Sequence, residues 1–234
     1  MVEFDGVQIE SIAPVKLDDV FVSAPSLQLT TQSVPLMDGV RFVRSKRGTR
    51  TVTVPFAVME DDEEIRRNHI KAIAEWATSK GVCTLRTSQE KNGYLMAVCS
   101  QLPDESSKKF WDIMTLAFVA VDPCYIENTE HSQNVTAAVD LTGKETPMIR
   151  IEQTVSSVLT NPTWRCGESY IKLASVSPGR LIIDLYSQSI MLNGESIMEQ
   201  MTIDSDFFEM SAENNKIICE NGAGGILYWR KRWI

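Results

Sequence analysis

Asp61-Asp62-Glu63-Glu64-Ile65-Arg66-Arg67-Asn68-His69-Ile70-Lys71-Ala72-Ile73-Ala74-Glu75-Trp76-Ala77-Thr78-Ser79-Lys80-Gly81 decides the fold, because it carries a helical period in a chain otherwise patterned for strands. Asp61 and Asp62 are candidate N-caps, and Glu64 stands three residues after Asp61, the spacing of a capping box. Ile65, His69, Ala72, Ile73, Trp76 and Ala77 recur on one face, while Arg66, Arg67, Lys71, Glu75 and Lys80 occupy much of the remainder. Gly81 offers a C-terminal stop, and the acidic start and basic end suit the macrodipole. The spacing predicts a helix over 62–80, lying across a sheet built from the strands on either side.

Upstream, Pro14 and Pro25 break the region into short strands, and Gly39 and Gly48 bracket a basic segment. Val52, Val54, Phe56 and Val58 alternate as in a half-buried strand, with Pro55 arguing for a sheet edge or bulge. Downstream, 82–86 and 94–100 read as strands joined by a turn at Lys91-Asn92-Gly93. Leu102-Pro103-Asp104-Glu105 breaks the pattern, and 110–121 is apolar on both faces, as in a central strand. Residues 126–146 turn polar and form the candidate linker, although 135–141 also fits a first strand. Short strands follow at 148–151, 170–173, 180–184, 189–192, 216–219 and 226–229, with Asn193-Gly194 and Asn221-Gly222 as turns. That density reads as an all-β sandwich.

Composition narrows the function. The chain has 234 residues, a formal net charge of −8 and 43% hydrophobic residues, room for one large β domain or two smaller ones and a poor match to a general nucleic-acid binder. No apolar run approaches the roughly 20 residues that span a bilayer, so no membrane insertion is expected. Residues 1–6 lack a secretory pattern, and assembly in the cytoplasm is the expectation. The five cysteines, at 83, 99, 124, 166 and 219, form no CxxC pair, which argues against a disulfide framework and a zinc site. Cys83, Cys99 and Cys219 fall in apolar strand patterns as small hydrophobes.

No catalytic constellation emerges. His69 and His131 have no nucleophile-elbow partner, and no HExxH, phosphate loop or dinucleotide fingerprint occurs. The glycines at 222, 224 and 225 precede a strand, so they cannot open a helix around a phosphate. The acidic run 60–64 sits where acids stabilise a helix start, and Asp184, Asp204 and Asp206 have no identifiable acid–base partner. No cofactor, metal or catalytic residue is expected. The interaction candidates are Arg44, Lys46, Arg47 and Arg50, within a ten-residue segment free of acids, and Trp229 and Trp233 around Arg230-Lys231-Arg232. The basic group can grip phosphate, meet an acidic neighbour or simply be solvated; the tryptophans can close a sheet, anchor an interface or stack a ligand.

The order of these features resembles the distal tail proteins (Dit) of long-tailed, non-contractile bacteriophages. The resemblance rests on Gly48-Thr49-Arg50-Thr51-Val52-Thr53-Val54-Pro55-Phe56, the acid-capped helix with Arg66 and Ile73-Ala74-Glu75-Trp76, the Tyr94 hairpin, and Asp122-Pro123-Cys124-Tyr125. It continues through Pro147-Met148-Ile149-Arg150-Ile151, Ile182-Ile183-Asp184-Leu185, Leu192-Asn193-Gly194 and 214–229. Cys124 departs from the tyrosine commoner after Asp-Pro, which touches packing only. The resemblance implies a mainly β fold: a sandwich-like ring domain over 1–128 with one α-helix and a β-hairpin, then a galectin-like sandwich over 129–234. It further implies a homohexameric ring at the virion tail tip, joining the tail tube protein to the tail-associated hub protein, with receptor-binding proteins as further partners. Tape measure and DNA then pass through the channel without specific binding. Six copies at −8 carry roughly −48, and an acidic lumen lets DNA slide. The basic segment is therefore expected to meet another protein surface and not the channel. The competing reading is a carbohydrate-binding module for host attachment, with Trp164, Tyr170 and Tyr186 as the available aromatic platforms, each of which also reads as core.

Overall fold

The computed structural model describes residues 1–33, 35, 38–103, 112–141, 145–211 and 213–234. Two compact units emerge, one of Met1–Tyr125 with Ile234 and the other of Ile126–Trp233, against an expected division after residue 128. Both are built mainly of β-strands.

In the first unit an antiparallel sheet runs in the order Val7–Gln8, Val2–Phe4, Cys83–Thr87, Gly93–Gln101, Met114–Ala120, Arg50–Val58, Val15–Leu17. Met114–Ala120 is central, as its two apolar faces predict; Phe110, Asp104 and Glu105 lie outside the described residues. Arg50–Val58 is internal and not an edge, which corrects the reading of Pro55. Two short strands share its far side, Val15–Leu17 opposite 56–58 and Phe21–Val22 opposite 52–53. Pro55 falls in the gap between them, where its missing N–H costs nothing and its carbonyl accepts from Asp18 N at 3.0 Å.

The helix spans Glu63–Thr78. Asp62 is the cap, its Oδ1 accepting from Glu64 N at 2.9 Å and Ile65 N at 3.0 Å, so the Asp61–Glu64 box is not the one used. Ser79 closes the helix in right-handed conformation, and neither a basic last turn nor a left-handed Gly81 is present. The packed face also differs from the expected one. Arg66, Ile70, Ile73, Trp76 and Ala77 are buried, whereas Ile65 is 48% exposed. Arg66 turns inward because its Nη1 donates to the carbonyls of Glu60 (2.9 Å) and Asp61 (3.3 Å) just before the helix. Trp76 meets Phe4 and Phe118 edge-on, at 6.0 and 6.4 Å between ring centres, and Phe4 lies 5.0 Å from Phe118. Such pairs add about 0.5–1.5 kcal/mol each beyond area burial.

The second unit is a sandwich. One sheet runs His131–Asn134, Ile226–Arg230, Met148–Val155, Gly179–Asp184, Ser189–Leu192, Glu195–Ser196; facing it are Ser169–Lys172, Thr163–Cys166 and Ile218–Glu220. Ile149, Ile151, Ile183 and Leu227 from the first sheet pack in one core with Trp164, Cys166 and Ile171 from the second. The stretch expected to be a linker is part of this unit. His131–Asn134 pairs with 226–229, and Val135, Val139 and Leu141 are buried in the core; Thr142 and Gly143 lie outside the described residues. Asn193-Gly194 and Asn221-Gly222 have positive φ throughout, as the turn reading requires. The glycine cluster has a packing cause. Gly225 has φ +117, and a Cβ there would stand 2.3 Å from the carbonyl oxygen of Glu152. Cys124 and Cys166 are the buried thiols; Cys83, Cys99 and Cys219 are only half-buried.

Candidate functional site

The basic segment forms one strand of a two-stranded ribbon, Leu27–Gln32 antiparallel to Arg41–Arg47. Every described residue of both strands is exposed. The root is fixed to the core strand: Gly48 N donates to Ser26 O (2.8 Å), Ser26 N to Thr49 O (3.1 Å) and Ser23 N to Thr51 O (2.9 Å). Pairing runs Leu27 with Arg47, Gln28 with Lys46, Leu29 with Ser45 and Thr30 with Arg44, then shifts by one residue so that Thr31 meets Phe42 and Gln32 meets Arg41.

That bulge sorts the side chains. By strand alternation Leu27 and Leu29 share a face, and the shift at Val43 brings Phe42 onto the same face opposite Thr31. Ser45 and Arg47 flank them on that face, and Gln28, Thr30, Gln32, Arg41, Arg44 and Lys46 share the other. The apolar side is open, with Leu27 68%, Leu29 63% and Phe42 58% exposed. An open apolar face on a ribbon rimmed by cations is a surface for association.

The sequence candidates part here. Arg44, Lys46 and Arg47 lie on the ribbon. Arg50 does not: it is buried, with its guanidinium 4.9 Å from the ring centre of Tyr125, so it cannot itself be offered to a partner. Burial raises the Tyr125 phenol, with Arg50 working in the opposite direction. Trp229 is also core, stacked on His131 at 5.3 Å, while His131 Nε2 bonds Glu127 Oε2 at 2.9 Å. Trp233 is half-buried. Leu27, Leu29 and Phe42 were not singled out from the sequence, since an alternating strand reads as half-buried whether or not its own chain covers it.

A second depression in the first unit, about 380 Å³, is lined by Leu17, Asp18, Phe56, Met59 and Ile113 among others. Ile113 is 64% and Met59 46% exposed. In the second unit Trp164 is fully buried and donates its Nε1–H to Gly224 O at 3.1 Å, which removes it as an aromatic platform. Tyr170 donates to Asp204 Oδ2 at 2.6 Å, and that bond holds the Asp204 carboxyl down at about 2. Tyr186 stays 43% exposed beside a pocket of about 270 Å³. Among the described residues no cluster of His, Cys, Asp and Glu has metal-binding geometry, and no helix is long and apolar enough to cross a membrane.

Known proteins place this architecture. The crystal structure of the SPP1 Dit protein, described as a paradigm of the hub adsorption apparatus in phages infecting Gram-positive bacteria, aligns with a TM-score of 0.78 at 17% identity, covering 100% of this chain and 98% of that one. Chains of the phage P2 baseplate in its activated conformation align at TM-scores of 0.56 with calcium and 0.54 with strontium, at 10% and 11% identity, each covering 94% of this chain and 91% of that one. At these identities the likeness is one of fold. No curated protein matches the sequence. Family models do: residues 7–111 match the phage tail protein RIFT-related domain, and residues 142–233 match the C-terminal domain of the siphovirus-type tail component. Carrying both domains in that order over most of its length, the chain belongs to the siphophage distal tail proteins, structural components of the phage tail.

Proposed function

We propose that the chain closes into a hexameric ring at the tail tip, non-enzymatic, joining the tail tube to the tail-associated hub protein and leaving a channel for tape measure and DNA. The observation that carries this reading is the ribbon formed by Leu27–Gln32 and Arg41–Arg47, whose apolar face its own unit leaves open. Burying side chains of this kind is worth about 1.5–3 kcal/mol each, and three of them per contact suit a repeated assembly interface. A head-to-tail contact also needs a receiving surface. The depression beside Met59 and Ile113 offers one, apolar within and with Asp18 at its lining. Such a heterologous contact repeats from copy to copy until rotation closes the ring.

Light scattering coupled to size exclusion, with negative-stain microscopy, tests the reading on the full chain. The wild type is expected to run near six subunits, alone or once tube or hub protein is added, as ring-shaped particles. Leu29→Asp, Ile113→Asp, and the triple change of Arg44, Lys46 and Arg47 to Glu should each leave monomers with unchanged melting, because all five positions are exposed. Arg50 is left untouched, since a buried carboxylate there would unfold the unit for reasons unrelated to assembly. Normal rings from all three variants would sink the proposal.

A further inference from the structure

We infer that the second unit carries a saccharide-binding pocket, built around Tyr186 and distinct from the ribbon. The pocket measures about 270 Å³, just under the roughly 300–1,000 Å³ that takes drug-sized ligands, which suits a single sugar ring. Phe208 lies in its apolar lining, and Thr146, Gln188, Glu209 and Arg232 bring polar groups to it.

Three of these groups, Thr146, Glu209 and Arg232, are tied to one another or to Tyr186 before any ligand arrives. The Arg232 guanidinium lies 4.9 Å from the Tyr186 ring centre and donates through Nη1 to Thr146 O at 3.0 Å. Thr146 Oγ1 reaches Glu209 Oε2 at 3.5 Å. The backbone under Tyr186 is fixed by Asp184, whose Oδ1 accepts from Tyr186 N and Ser187 N at 2.9 Å each. A preordered site of this sort loses little entropy on binding.

Gln188 supplies an independent observation. Five described non-glycine residues have positive φ, and four of them, Asp5, Asn161, Asn193 and Asn221, are of the types that tolerate it through short polar side chains. Gln188, at φ 52, is the exception, and it lines the pocket. A turn alone would favour Gly or Asn there. Gln188 closes the turn between Gly179–Asp184 and Ser189–Leu192 and holds its place in the pocket lining at a backbone cost that glycine would not carry.

The chemistry fits a sugar. A pyranose offers C–H faces to an aromatic ring and neighbouring hydroxyls that both donate and accept. Tyr186 provides the ring, Arg232 donors, Glu209 acceptors, and Gln188 both. A free phosphate would meet the Glu209 carboxylate, and a purely apolar ligand would strand the polar groups.

Saturation-transfer NMR on the full chain, with methyl glycosides of glucose, galactose, rhamnose and N-acetylglucosamine as probes, tests this. Transfer to at least one glycoside is expected, with affinity falling at least fivefold in both Tyr186→Ala and Gln188→Gly. Gln188→Gly should melt no lower than the wild type, because glycine accepts the same φ without strain. Binding should persist in the ribbon variant with Arg44, Lys46 and Arg47 changed to Glu, which separates this proposal from ring assembly. No transfer to any of the four glycosides, or undiminished binding in both pocket variants, overturns it.

Discussion

Glu152 sits where two arginines converge, and its environment pulls in opposite directions. Arg150 Nε donates to Oε1 at 2.9 Å and Arg180 Nη2 to Oε2 at 2.6 Å, while Arg150 also holds Glu130 through two bonds and stacks over Tyr228 at 4.6 Å. Burial works to raise the Glu152 carboxyl, but the hydrogen bonds and charges of Arg180 and Arg150 prevail and hold it below its usual value. A carboxyl whose folded pKa is lowered stabilises the protein fully above its unfolded pKa, and that contribution is lost as pH falls through the lower, folded value. Glu152→Gln keeps the shape and removes the charge. It should cost about 1–2 kcal/mol at pH 7, a charge-assisted bond discounted for partial exposure. The gap between the two proteins should close on acidification below the ordinary carboxylate range. Thermal melts at pH 7 and at progressively lower pH check the sign; a gap that widens in acid would refute the assignment.

Among the elements, the helix shows what local rules decide and what they leave open. Its start depends on Asp62 alone accepting two amide hydrogens, so Asp62→Ala should destabilise the first unit by about 1 kcal/mol, measured by urea unfolding. Asp61→Ala should have almost no effect. Period and caps made the helix legible in the sequence because they act within one turn. Its packed face was legible only in part. Arg66 is buried and Ile65 exposed, an arrangement that depends on the carbonyls of Glu60 and Asp61 and not on hydropathy. Pro55 was misplaced for a similar reason, since only the pairing of two separate short strands creates the gap that accommodates it. For the ribbon, composition revealed Arg44, Lys46 and Arg47, but not the apolar face. Phe42 joins Leu27 and Leu29 through a one-residue bulge, and no residue pattern announces a bulge. The pocket was less legible still: Tyr186 and Arg232 stood out in the sequence only as members of unrelated groups, because Thr146, Gln188, Glu209 and Arg232 come together from four separate segments.

At the scale of the whole molecule, charge separates the two components of the proposed ring contact. The chain carries a formal net charge of −8, yet Arg41, Arg44, Lys46 and Arg47 fall on one exposed strand. A cationic ribbon approaching an acidic copy of itself is steered over roughly a Debye length, about 30 Å at 0.01 M salt and about 3 Å at 1 M. The apolar side of the same ribbon acts only at contact and is not screened. Raising salt across that range should therefore slow assembly on the order of tenfold or more, while assembled rings persist, because steering governs association more than dissociation. Time-resolved light scattering during assembly, with or without tube protein, reads both quantities. Changing Arg44, Lys46 and Arg47 to Gln should flatten the salt dependence and leave a slower association that still yields rings, whereas Leu29→Asp should abolish rings at every salt concentration. If the wild-type rate is indifferent to salt, the cations do not steer docking and the apolar face acts alone; if rings dissolve at high salt, the contact is chiefly ionic and Leu27, Leu29 and Phe42 are not its centre.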